Sequence, residues 1–210
     1  WWIDSHISFD ARKDYARNFD YLFLAVSRNV KPLKAYLGHH RVHWLPLCWP
    51  YQADAITPNT ETKEYDISFV GRWNREWFPQ RTEYIERLKA RYGDRFHAVT
   101  DYQSMLSIVR RSKVSFNCAI QDDLNFRVFE VLGCGTEIVT DPVDDLFKVE
   151  GLKDRVSVYH DFDELVKLID GILAGEVKHD TSASQQWVKS AHCLCHRLRY
   201  IINTVNGHTP

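Results

Sequence analysis

Short runs of apolar residues, each closed by Gly or a polar turn, alternate along the chain with stretches of helical spacing. Tyr21–Val26 (YLFLAV) is the longest such run. Its six residues suit a strand buried on both faces and fall far short of the ~18 that a membrane span needs. Arg28 to Leu37 predicts a short helix stopped by Gly38, and Val42 to Leu45 a strand. From Pro46 to about Glu64 the period disappears among Pro, Thr and Asn, which predicts a linker over 46–64. Regular alternation follows. Strands are predicted at Tyr65–Val70, Phe96–Val99, Val114–Cys118, Thr136–Thr140 and Arg155–Tyr159. Between them, Pro79 opens a helix with Tyr84, Ile85, Leu88 and Tyr92 on one face, and Gly93 closes it. Further helices are predicted at Tyr102–Arg111, Leu124–Leu132 and Phe162–Leu173, the last capped by Asp161, with one closing helix at Ser182–Asn203. This order predicts an α/β fold, a Rossmann-like parallel sheet with helices on both faces. It divides the chain into 1–45, the linker 46–64, the regular unit 65–180, and a C-terminal helix and tail at 181–210.

Composition narrows the reading. A chain of 210 residues that is 44% hydrophobic and 13% aromatic can bury a core and is not a disordered or low-complexity protein. Its 27 Lys and Arg against 28 Asp and Glu leave a net charge of -1, too little for a global field that grips nucleic acid or an anionic membrane. Anion binding must therefore be local. Five Cys, an odd number, with Cys118 and Cys134 inside apolar segments, predict buried reduced thiols and a cytoplasmic location. The opening Trp1-Trp2-Ile3-Asp4 begins inside a strand-like pattern without an initiator Met or signal peptide, as expected of a segment of a longer protein.

In open parallel sheets ligands sit beyond the carboxyl ends of the strands, so the residues just after each strand are the candidates. After Val70 comes Gly71-Arg72-Trp73-Asn74-Arg75, where Gly permits close approach to the backbone and Arg can meet phosphate in bidentate fashion; a turn with solvated Arg is the plainer alternative. Neither a dinucleotide fingerprint nor a P-loop is present. After Cys118 comes Gln121-Asp122-Asp123-Leu124-Asn125-Phe126-Arg127-Val128-Phe129-Glu130. The helix start at Asn125 offers N–H groups to a phosphate, and Glu130, deeper in the helix, can accept from ribose hydroxyls. The same residues also read as an Asp122 or Asp123 N-cap and an exposed Arg127–Glu130 pair.

The run Asp123 to Thr136, followed by Ile138-Val139-Thr140-Asp141, resembles the nucleotide-sugar motif of group 1 glycosyltransferases of the GT-B fold, in particular the branch related to spore maturation glycosyltransferases. The resemblance implies a carboxylate-x7-Glu pair in which Glu130 contacts the ribose and Asp122, where the wider family usually has Glu, contacts the donor sugar. Phe69-Val70-Gly71-Arg72, with Arg81 in the next helix, resembles the diphosphate-binding start of that family's C-terminal domain. Asp163-Glu164-Leu165 and His192 to Arg197 resemble its tail. Trp2 to His6, Tyr21–Val26 and His43 to Pro46 look like the end of its acceptor-binding N-terminal domain. The implied donor-site set is Gly71, Arg72, Arg81, Asp122, Asn125, Arg127 and Glu130.

The expected activity is transfer of a sugar from a nucleoside-diphosphate sugar, a UDP- or GDP-sugar, to a glycan, protein or small-molecule acceptor, with no obligatory metal or other cofactor. Arg72, Arg81 and the helix start at Asn125 would neutralise the departing diphosphate. Asp4 and His6, at a strand end, are candidate acid/base residues, with capping and hydrogen bonding as the alternative. His192-Cys193-Leu194-Cys195-His196 has metal-ligand composition but lacks a second ligand pair at zinc spacing, and reads as structural helix. A non-catalytic nucleotide-sugar-binding module and an unrelated doubly wound binding domain are the rival readings.

Overall fold

Five of the predicted strands assemble into one parallel sheet in a computed structural model that describes residues 1–7, 9–38 and 41–207. These are β3 (Tyr65–Val70), β4 (Phe96–Val99), β5 (Ser112–Phe116), β6 (Glu137–Thr140) and β7 (Ser157–Val158), in the spatial order β4-β3-β5-β6-β7. Register follows the buried positions: Ile67 lies opposite Phe96 on one side and Val114 on the other, and Val114 lies opposite Glu137.

Alternation along the strands separates two cores. Ile67, Phe69, Val114, Phe116 and Val139 point to the face covered by α3 (Pro79–Tyr92) and α6 (Phe162–Ala174). Val70 and Ile138 belong to the opposite face, covered by α4 (Met105–Arg110), α5 (Phe126–Gly133) and α7 (Thr181–Ala191). Helices on both faces are what parallel strands joined by crossovers require. The punctuation predicted for α3 and α6 is present. Pro79 sits in the first turn of α3 and Gly93 just past its end, and the Asp161 side chain accepts from Glu164 N at 2.8 Å.

A second, smaller parallel sheet pairs β1 (Leu22–Leu24) with β2 (Val42–Trp44), joined through a 3-10 turn (Ser27–Asn29) and α2 (Val30–Leu37). With α1 (Phe9–Arg12) and the 3-10 turn Lys13–Asn18 it encloses its own cluster of Ala16, Leu22, Leu24, Leu33 and Val42.

The closing helix differs from its prediction. It is two helices, α7 and α8 (Leu194–Val205), broken at His192-Cys193. The break holds the 46–64 connection in place. Trp49 N donates to His192 O at 2.8 Å and Leu194 N to Trp49 O at 3.0 Å, while Cys193 turns extended and caps α8. Both helices are amphipathic and no Gly or Pro marks the break, so periodicity runs straight through it. Buried Arg197 adds bonds from Nε to Pro46 O (2.9 Å) and from Nη2 to Leu47 O (3.2 Å). In the cluster read as structural helix, His192 stacks on Trp187 and Cys193 is buried. Among the described residues no group of three His, Cys, Asp or Glu could hold a metal ion, and no helix is long and apolar enough to cross a membrane.

Trp49 fills the space behind α5. A Cβ on Gly133 would meet the Trp49 ring at 2.4 Å, and Trp49 is itself 1% exposed within the core. Gly133→Ala should therefore destabilise the protein by ~1–3 kcal/mol through overpacking, despite the better helix propensity of Ala. Urea unfolding would show it, and an unchanged midpoint would remove Trp49 from this role.

Candidate donor-binding site

The strand order reverses between β3 and β5, because the chain leaves β3 toward β4 on one side and returns through α4 to the other. The loops at their carboxyl ends diverge there and leave a crevice. A cleft of about 360 Å³ occupies this point. The end of β3 gives it Phe69, Val70 and Gly71, the segment after β4 gives Tyr102, and the end of β5 gives Asn117. The turn into α5 supplies Ile120 and Asn125, and α5 itself Phe126, Arg127 and Glu130.

Glu130 is 1% exposed, and burial raises its carboxyl pKa against the nearby Arg127 charge. Its two oxygens differ. Oε1 accepts from the Tyr102 hydroxyl, which also lies 3.3 Å from the Tyr51 hydroxyl. Oε2 is 3.6 Å from Arg127 Nη1, yet neither atom has a hydrogen-bond partner. The Arg127 guanidinium lies over the Tyr102 ring at 5.6 Å. The Tyr102 hydroxyl is pushed well above its ordinary pKa by burial and by the carboxylate it serves, so it remains a donor. Since buried polar atoms are ordinarily hydrogen-bonded, a carboxylate oxygen without a hydrogen-bond partner on a cleft wall is a feature of a ligand site.

The other expected donor-site residues divide. Asn125 begins α5 with no side-chain cap, its Nδ2 donating to Asn117 Oδ1 at 3.3 Å. Gly71 lines the cleft, but its N–H is taken by Val99 O at 2.9 Å. Arg72 is exposed and stands outside the cleft wall. Arg81 also lines the cleft, but it is buried, and its guanidinium donates to carbonyls: Nε to Cys118 O (3.0 Å) and Nη1 to Arg72 O (3.1 Å). It ties the loop after β3 to the end of β5. Asp122 turns away from the cleft, with Oδ2 accepting from Arg28 Nη1 (2.5 Å) and Oδ1 from Asp144 N (2.9 Å).

A second cluster lies where residues 1–45 meet the larger unit. His6 Nδ1 is 3.7 Å from Asp123 Oδ1, and both atoms are buried without hydrogen-bond partners. Burial lowers the His6 pKa, opposed by Asp4, which is exposed nearby. The structure thus places His6 against Asp123, a carboxylate that sequence reading treated only as a cap. Tyr102 and Tyr51 also escaped that reading. Tyr102 was within reach of it, since it follows β4 as Arg72 follows β3.

The sheet order and the cleft at its reversal define a doubly wound α/β domain. The chain belongs to the glycosyl transferase-like family, which it matches over residues 53–203. Among solved structures it resembles the pneumococcal O-GlcNAc transferase in complex with UDP and GlcNAc (TM-score 0.56, 12% identity, covering 95% of this chain and 47% of that one). It also resembles sucrose-phosphate synthase from Thermosynechococcus elongatus (TM-score 0.61, 14% identity, 94% and 61% covered). A glycosyltransferase from Rickettsia africae gives a TM-score of 0.66 at 9% identity, with 94% and 67% covered. The fold is that of GT-B glycosyltransferases, and the chain spans about half the length of the first of these structures. No curated protein matches it by sequence.

The buried carboxyl beside His6 generates a pH dependence. Burial, with Asp4 and Asp145 nearby, pushes the Asp123 pKa up to about 7 from 3.8. The folded chain then holds this proton more tightly than the unfolded chain. The contribution is fully present below pH ~4 and is lost as pH rises through ~7, by up to ~4 kcal/mol. Asp123→Asn should flatten this part of the profile, so urea midpoints at pH 5 and 8 should converge in the variant. A fall between those values as steep as in the wild type would assign the effect elsewhere.

Proposed function

We propose that the cleft between β3 and β5 binds the nucleoside diphosphate of a nucleotide-sugar donor, and that the protein transfers the sugar to an acceptor. The observation that carries this is Glu130, a buried carboxylate on the cleft wall with one oxygen held by Tyr102 and the other near Arg127 but without a hydrogen-bond partner. A ribose hydroxyl donating to Oε2 would complete it. The uncapped start of α5 and the Arg127 guanidinium border the same cleft, and Arg72 stands just past its Gly71 rim, which is the arrangement an anionic diphosphate needs. When the sugar–phosphate bond breaks, negative charge grows on the departing diphosphate, and these groups stabilise it. Arg81, engaged with carbonyls, acts in this reading by holding Arg72 in place. The solved pneumococcal transferase complex with UDP supports uracil as the base, with GDP-sugars the alternative donors.

On the same reading residues 1–45 form part of the acceptor side. They have their own sheet and cluster and meet the larger unit through His6 at Asp123 and Arg28 at Asp122. His6, kept neutral by burial, is the proton acceptor in this proposal, with Asp4 and Asp123 beside it. The five free thiols, four of them buried, fit a reducing compartment such as the cytoplasm.

Titration calorimetry with UDP and GDP tests the assignment. Glu130→Ala should weaken binding of the better nucleotide by ~1.5–3 kcal/mol, the range for a hydrogen bond to a charged group. Unchanged affinity in a folded variant would overturn the ribose contact. Hydrolysis of the donor to free sugar and nucleoside diphosphate, with no transfer to any of a range of acceptors, would overturn the transferase reading while leaving the binding site standing.

A further inference from the structure

Between β5 and α5 the chain must turn sharply, and it does so through two successive left-handed residues that are not glycine, Gln121 (φ 51°) and Asp122 (φ 59°). They are the only such residues in the described chain. Side chains with a Cβ disfavour this conformation, so it persists where surrounding contacts over-determine it. Here those contacts come from far along the sequence. Arg28, in the 3-10 turn after β1, donates from Nη2 to Gln121 O (2.6 Å) and from Nη1 to Asp122 O (3.4 Å) and Asp122 Oδ2 (2.5 Å). Its neighbour Ser27 fixes the adjoining loop, with Ser27 N donating to Asp145 Oδ2 at 2.8 Å, and Asp122 Oδ1 accepts from Asp144 N in that loop. The strained pair leads directly to the cleft: Ile120 precedes it, Asn125 follows it, and both line the wall.

We infer that Arg28 is a positioning residue for the donor site, holding the Gln121–Asp122 turn in its left-handed form so that Ile120 and the start of α5 face the nucleotide. Arg28 does not line the cleft, so it acts through the loop and not through the ligand. Its planar fork matters, because the guanidinium reaches Gln121 O from one nitrogen and Asp122 from the other at fixed angles, whereas the three donors of an ammonium radiate from a single atom. The residues that bind the donor are thereby set partly by the smaller sheet. The inference rests on the donor-site reading above for its consequence, but not for the contact itself.

Two readouts separate them. Hydrogen exchange of the amides at 119–125 in the free protein reports the turn, and UDP calorimetry reports the site. Arg28→Ala should accelerate exchange across 119–125 with little change elsewhere and weaken UDP binding about tenfold or more. Arg28→Lys, which keeps the charge, should still accelerate exchange. In a Gln121→Gly/Asp122→Gly background the left-handed turn is inexpensive, and Arg28→Ala should add less than about twofold to either readout. Unchanged exchange in Arg28→Ala would overturn the proposal. So would an equal loss of affinity in the glycine background, which would point to a charge effect on the ligand. If wild-type protein binds neither UDP nor GDP, the donor-site reading fails, and the exchange measurement alone still decides whether Arg28 holds the turn.

Discussion

A parallel sheet must start at some strand, and this one starts inside its edge, at β3, the second of five. Because β3 is laid down first and its neighbours are added on either side, helices must cover both faces and the strand order must reverse once. The reversal leaves two loops pulling apart above β3 and β5. Around that gap lie a buried carboxylate oxygen without a hydrogen-bond partner, a helix start without a side-chain cap and a buried guanidinium spent on carbonyls.

The buried arginines show how the gap is kept in shape. Arg81 and Arg197 are both at least nine-tenths buried, and neither has a carboxylate as its hydrogen-bonding partner. Each bridges backbone carbonyls of segments distant in sequence, Arg81 between the loop after β3 and the end of β5, Arg197 between α8 and residues 46–47. A planar donor fork suits this task, since it satisfies several acceptors at fixed angles while its charge remains solvated by dipoles. Burial lowers both pKa values, but from so high a starting point that the charge remains.

What could be read from the sequence was what is decided locally. The apolar runs marked β3 to β7, Pro79 and Gly93 marked α3, and the position of Glu130 in α5 followed from helical spacing. The site was legible where it hangs on strand ends and one helix. It was obscure where it depends on pairing across the chain. Nothing near Asp122 announces Arg28, which is 94 positions away, and nothing near Glu130 announces Tyr51. The break between α7 and α8 was hidden for the same reason. It is imposed by Trp49, a residue that the composition of 46–64 assigned to a linker and that packing makes a core residue.

Trp49 and the helices that clasp it also make the larger sheet depend on the end of the chain. All five strands of the larger sheet are complete once Val158 has been made, yet α5 is then still bare on the side that Val188 and Gln185 will cover. Gln185 supplies bonds to Gly133 O and Thr57 O, and Arg197 closes the strap at Pro46 and Leu47. The second face of the sheet is therefore closed by residues 181–205, close to the end of the described chain, and the larger unit depends on them for its core as much as on its strands.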